Sequence, residues 1–175
     1  MHPVAKPIST PYRKKGRLWS LGYHTGVDYA AAEWTDIVAP ASGYIARAGW
    51  DNSFGRFVIL RSTLGGKPIN IYLCHMTKIL VRVGQRVRIG QHIGEVGDTG
   101  NATGDHCHLE TRKHPYGFTF RDIIDPRIAY LHTEDMNFEK PTVFDAIEWN
   151  IARERWYTEW DLRKAEIKKE LRGAD

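Results

Sequence analysis

The sequence predicts a mainly β domain, a small antiparallel β-sheet or barrel-like core, followed by an amphipathic C-terminal α-helix. Three observations carry this. Between Ile37 and Glu110, short runs rich in β-branched and aromatic residues are punctuated by Gly and Pro turns at the spacing of 4–6-residue strands. From residue 142 to 172, Val143, Ile147, Ile151, Trp156, Trp160, Ile167 and Leu171 recur at mostly helical intervals among alternating charges. The hydrophobic fraction of 42% suits a globular chain, and no apolar run approaches the roughly 20 residues that span a bilayer.

Residues 1–20 form a basic, Pro-rich N-terminal arm (Pro3, Pro7, Pro11, Arg13, Lys14, Lys15, Arg17), either wrapped on the domain or lining an entrance, or disordered at its start. In His24-Thr25-Gly26-Val27-Asp28, an extended backbone puts His24, Gly26 and Asp28 on one face, with Gly26 leaving space between two ligand-type side chains. A surface histidine and a capping aspartate are the plainer alternative. Ile37 to Trp50 reads as strand, Pro/Gly turn and strand. Arg56 to Ser62, a turn at Gly65-Gly66, and Pro68 to His75 read as a hairpin whose returning strand delivers His75.

Short runs from Ile79 to Val96 lead to a polar glycine loop, Gly97 to Gly104, and then to His106-Cys107-His108-Leu109-Glu110. The loop lacks the Gly-Lys-Ser/Thr ending of a phosphate loop, and a strand follows it. In that strand His106, His108 and Glu110 share one face, while Cys107 and Leu109 take the other. The compact domain is expected over 21–131, with 132–175 as a helical extension that packs on its own domain, self-associates or meets a partner.

Residues 1–131 carry 17 Lys+Arg against 10 Asp+Glu, and residues 132–175 carry 8 against 11, so a basic body (+7) precedes an acidic-leaning tail (−3). That favours an anionic partner such as bacterial wall material; no nucleic-acid-binding pattern is present. Cys74 and Cys107 read as small buried thiols facing away from the histidines, with metal ligation and a mutual disulfide as alternatives. The chain's start lacks the apolar stretch of a secretory signal, which suggests a cytosolic protein, another export route or a processed form.

Three places thus supply five metal- or proton-type residues: His24 with Asp28, His75, and His106 with His108. A catalytic zinc takes three ligands from His and carboxylate and keeps one position for water, so this set satisfies the count and leaves two histidines for proton transfer.

His-Thr-Gly-Val-Asp (24–28), Cys-His (74–75) and Gly-Asp-Thr-Gly-Asn-Ala-Thr-Gly-Asp-His-Cys-His-Leu-Glu (97–110) resemble the lysostaphin/LytM-type zinc endopeptidases, metallopeptidase family 23, which cut peptides of bacterial peptidoglycan. The similarity runs from about Tyr23 to Leu131. It implies one Zn2+ per chain on His24, Asp28 and His108, with His75 and His106 as the catalytic pair, in a duplicated-hybrid-motif fold with an open groove. Leu73 where a tyrosine is common, Cys107 where an aliphatic is usual and Asp105 in place of a frequent proline depart from the pattern.

Around that set, Glu110 is a candidate outer acceptor orienting an imidazole, or a plain strand residue. Thr99, Asn101 and Thr103 are candidate contacts for substrate backbone, or serve the turn alone. His2, His92, His114 and His132 are read as non-functional. A peptidoglycan endopeptidase, as a bacteriophage lysin made in the host cytoplasm or carried on the virion, is the leading expectation; a secreted or periplasmic bacterial hydrolase follows. The other classes are a non-catalytic wall-binding or regulatory relative, a carrier domain, whose displayed lysine residues 83–91 lack, and an iron oxygenase, which would leave two histidines unexplained.

Overall fold

The computed structural model describes residues 1–64, 66–113 and 123–127. Nine strands lie among them: β1 (Val27–Ala30), β2 (Asp36–Val38), β3 (Gly43–Asp51), β4 (Gly55–Leu64), β5 (Lys67–Ile79), β6 (Arg86–Val87), β7 (His92–Val96), β8 (His106–Lys113) and β9 (Ile123–Ile124). Every pairing is antiparallel, in the order β1-β8-β5-β4-β3-β6, with β7 joining β5 to β2 and β9 on β8. The mainly β, antiparallel expectation is correct. The amphipathic helix expected over 142–172, together with His114 and His132, lies outside the described residues.

The hairpin β4–β5 forms because two β-branched, aromatic-rich runs flank the glycine turn, and both strands are buried along most of their length. Alternation divides their side chains between two clusters. Val58, Leu60, Ile71 and Leu73 enter the main core with Val27, Tyr29, Ile37, Ile45, Ile93, Val96, Cys107 and Leu109. On the other face Phe57, Ile59, Tyr72 and Cys74 form a smaller cluster with Phe54 and Ala46.

Alternation breaks at one place that matters. Arg56 faces Met76 while Val58 faces Leu73, so two steps on β4 match three on β5: a bulge of one extra residue at Cys74-His75. His75 takes a left-handed φ of 63°, and Met76 returns to the main core. Beyond the bulge β5 leaves β8, its last pair there being Cys74 with His108, and pairs with β7 from Met76 onward. Because Cys74 stands opposite His108, it lies on the histidine face, which corrects the expectation that both cysteines point away from it. The strict alternation behind that expectation does not survive the extra residue. Cys107 does face the main core, and both thiols are buried and free.

The arm runs along the outer side of β1. Thr10 bridges Asp28 and Lys15 bridges Tyr23, Val38 N–H donates to the Pro3 carbonyl (2.8 Å), and Val4 is buried in the main core. Leu73, fully buried where β4 and β8 flank β5, tests the core: Leu73→Ala is expected to lower stability by about 2–5 kcal/mol in urea unfolding, as buried Leu truncations do.

Candidate metal centre

The β1–β8 register sets Asp28 directly opposite His108, so their side chains stand on the same face. His24, four residues before Asp28, comes over the same spot. His108 Nδ1 lies 2.9 Å from Asp28 Oδ1, His24 Nε2 lies 3.1 Å from that oxygen, and the two ring nitrogens are 3.0 Å apart. Gly26 makes this possible. A Cβ there would lie 2.2 Å from the Leu109 carbonyl oxygen and 2.7 Å from His108 Cε1, so only glycine lets the His108 ring fit beneath the chain.

The outer nitrogens fix how the rings are used. A carbonyl can only accept, so His24 Nδ1–H donates to the Pro11 carbonyl (3.1 Å) and leaves the Nε2 lone pair pointing inward. His108 Nε2 faces Glu110 Oε2 at 3.6 Å, which turns Nδ1 inward. Glu110 is fully buried and is held from behind by a close ion pair to the buried Arg112, whose guanidinium lies 4.5 Å over the Tyr72 ring.

Three inward donor atoms within about 3 Å of one another repel unless a positive charge sits among them. Zinc bonds to nitrogen and oxygen at about 2.0–2.2 Å, and tetrahedral ligands at that distance stand about 3.4 Å apart, close to the spacing seen. Among the described residues, His24, Asp28 and His108 are the one group of metal-type side chains so arranged. The electrostatics agree. Burial alone would push the His108 ring down and the Asp28 carboxyl up; instead hydrogen bonds and charge from Asp28 and Glu110 raise His108 to about 9, while His108 and His24 hold Asp28 well below the usual carboxylate range. The residues fit zinc.

His75 and His106 stand beside this centre, their rings 4.6 Å apart. The bulge and left-handed φ turn His75 onto the site face, and its Nδ1–H donates to the Thr99 carbonyl (2.8 Å). His106 Nδ1–H donates to the Gly104 carbonyl (2.8 Å), and its Nε2 is 3.8 Å from Asp28 Oδ1. Each therefore presents an unprotonated Nε2. Burial pushes His75 down to about 4, with small opposing and assisting effects from Thr99 and the neighbouring histidines, so it is neutral at pH 7.

The loop candidates separate. Thr99 is occupied within the fold: its hydroxyl donates to the Met76 carbonyl and accepts from Arg56 N–H, and its carbonyl braces His75. Gly55 packs against it so closely that a Cβ there would lie 2.2 Å from the Thr99 carbonyl oxygen, and a Cβ on Gly100 would lie 2.2 Å from Gly55 N. Asn101 and Thr103 are exposed on the loop that leads into β8. His2, bonded to the Tyr29 hydroxyl, and His92, near Asp36 and the Gly94 carbonyl, lie away from the centre.

Sequence reasoning missed three contributors. Arg112 was within reach, since 106, 108, 110 and 112 share a strand face. Trp19, stacked on the His24 ring at 5.1 Å, and the Pro11 carbonyl left no signal, because neither belongs to a motif.

The family description Peptidase family M23 matches residues 22–120. Peptidoglycan DD-endopeptidase ShyC of Vibrio cholerae is 38% identical over 87 residues, covering 50% of this chain and 19% of that protein. The chain spans about a fifth to a quarter of the length of the curated relatives it matches first. Among solved structures, the catalytic domain of the antimicrobial peptidase lysostaphin from Staphylococcus simulans aligns with a TM-score of 0.65 at 29% identity, over 72% of this chain and 92% of that one. A zinc containing peptidase from Vibrio cholerae aligns at 0.56 and 25% identity, over 63% and 35% respectively.

Replacing the charge behind His108 tests the assembly. Glu110→Gln is expected to weaken zinc binding about 10–100-fold in a chelator competition, as changes to groups that orient ligands do.

Proposed function

Because the chain belongs to peptidase family M23, we propose that it is a zinc-dependent endopeptidase that hydrolyses peptide bonds of bacterial peptidoglycan, in the stem or the cross-bridge. The observation that carries this reading is the convergence, from three distant parts of the chain, of a two-histidine, one-aspartate donor set with two further imidazoles whose free nitrogens face it. The names of the similar proteins support the substrate class: ShyC is a peptidoglycan DD-endopeptidase and lysostaphin an antimicrobial peptidase.

His24, Asp28 and His108 would hold the zinc. Bound there, zinc supplies a Lewis acid that polarises the scissile carbonyl and lowers the pKa of water toward about 7. His75 and His106 do the proton work. Both are fixed as Nδ1–H tautomers by backbone carbonyls, so each can take a proton at Nε2 and return it. One accepts the proton of the attacking water. The other, once protonated, donates to the developing oxyanion or to the leaving amine. The exposed basic residues Arg13, Lys14, Lys15 and Arg17 flank the His24 side of the site and would attract the anionic wall.

Zinc analysis should find about one ion per chain, and chelation should abolish release of fragments from peptidoglycan. His108→Ala is expected to lose both metal and turnover. His75→Ala and His106→Ala should keep the metal yet lose roughly 10²–10⁴ in rate. Full activity in either of the last two variants would overturn the assignment of roles. Mass spectrometry of fragments from defined muropeptides identifies the bond.

A further inference from the structure

We infer that the N-terminal arm is a working part of the metal centre: residues 9–15 set the orientation and tautomer of His24 through the Pro11 carbonyl. The inference rests on the reading of His24 as a zinc ligand. It goes beyond that reading, because residues 9–15 lie before the segment that the family description matches, 22–120.

The arm pairs with both first ligands through its backbone. Arg13 N–H donates to the His24 carbonyl (3.0 Å) and His24 N–H to the Lys14 carbonyl (2.9 Å). Asp28 N–H donates to the Thr10 carbonyl (3.0 Å), and Ser9 N–H to the Asp28 carbonyl (2.8 Å). The Ser9 hydroxyl clips the two segments together, donating to the Asp28 carbonyl and accepting from Ala30 N–H. Between these two anchored points the chain has no freedom to move Pro11 away from His24, so its carbonyl stays 3.1 Å from Nδ1.

That single acceptor decides which nitrogen of His24 carries hydrogen. His24 is almost fully buried, and the Pro11 carbonyl is the acceptor at its outer nitrogen. Remove it, and the buried Nδ1–H loses its partner, the tautomer that leaves Nε2 free is no longer favoured, and the ring is free to rotate out of register with Asp28 and His108. The other two rings facing the site obtain the same service from carbonyls of the 97–104 loop, inside the matched segment. For His24 it comes from the arm.

Arg13 offers a clean test because it sits at the joint, exposed, with a left-handed φ of 63° and its N–H engaged. Glycine keeps the N–H and adopts that φ at no cost; proline has no N–H and cannot adopt it. Both lose the Arg13 guanidinium and its stacking on Tyr23, so the pair isolates the backbone.

In the whole 175-residue chain, Arg13→Gly is expected to bind Zn2+ as the parent does, and Arg13→Pro about 10–100-fold more weakly, in competition with a chromophoric chelator. Equal zinc affinity in the two variants overturns the inference. Nitrogen-15 NMR of the histidine rings gives a second readout: His24 should be a single Nδ1–H tautomer in the parent and in Arg13→Gly, and mixed in Arg13→Pro. If the parent binds no zinc, the metal reading fails, and this NMR comparison still decides the arm's role, an unchanged tautomer overturning it. If Arg13→Pro does not fold, Ser9→Ala replaces it: faster solvent exchange of the His24 Nδ1 proton supports the inference, and parent-like exchange overturns it.

Discussion

The pairing of β1 with β8 is the constraint on which the site depends. It brings Asp28 opposite a histidine 80 residues later and concentrates a carboxylate and two imidazole nitrogens within about 3 Å. Such a cluster, mostly sealed from water, needs positive charge to be tolerated. Asp28 and Glu110 raise the basicity of His108 against its own burial. The sheet register therefore dictates an electrostatic demand, and the demand dictates a cation. Gly26 allows this by sparing the Cβ that would separate the strands' side chains.

A second feature of the sheet brings a further imidazole to the donor set. The bulge at Cys74-His75 breaks the two-residue alternation of β5, so that Cys74 and His75 both reach the histidine face while Met76 returns to the core. A left-handed φ at a non-glycine residue costs about 1–3 kcal/mol. It persists because its surroundings hold it: His75 N–H donates to the Phe54 carbonyl, and its ring is tied to Thr99, which Gly55 meets at a distance no side chain would permit. The same bend lets β5 pass from β8 to β7. One irregularity thus shapes the sheet and places an imidazole beside the donor set.

All four site imidazoles follow one rule: the inner nitrogen is left for chemistry because the outer one is engaged. Three outer nitrogens donate to backbone carbonyls, of Pro11, Thr99 and Gly104. Neutral dipoles orient a ring without adding charge. Only His108 of the four has a carboxylate behind it, itself held by Arg112; burial would lower the basicity of this ring, but Asp28 in front and Glu110 behind raise it. What stands behind each ring therefore sets His108 apart from the other three.

The sequence by itself determined the strands and much of the site's composition, because those depend on local periodicity. Alternation placed His106, His108 and Glu110 on one face and Cys107 on the other, Gly66 marked the turn of the β4–β5 hairpin, and Gly26 was expected to leave space between His24 and Asp28, space that the His108 ring and the Leu109 carbonyl take up. The motif resemblance supplied the expected roles. Tertiary structure alone decided the rest. The bulge at His75 reversed the facing expected of Cys74, since period-two reasoning has no place for an extra residue. Convergence of His24, Asp28 and His108 required the pairing of strands far apart in the chain. The acceptors at Pro11, Thr99 and Gly104 are main-chain oxygens, which every residue carries, so only the folded path of the backbone selects which of them meet a histidine.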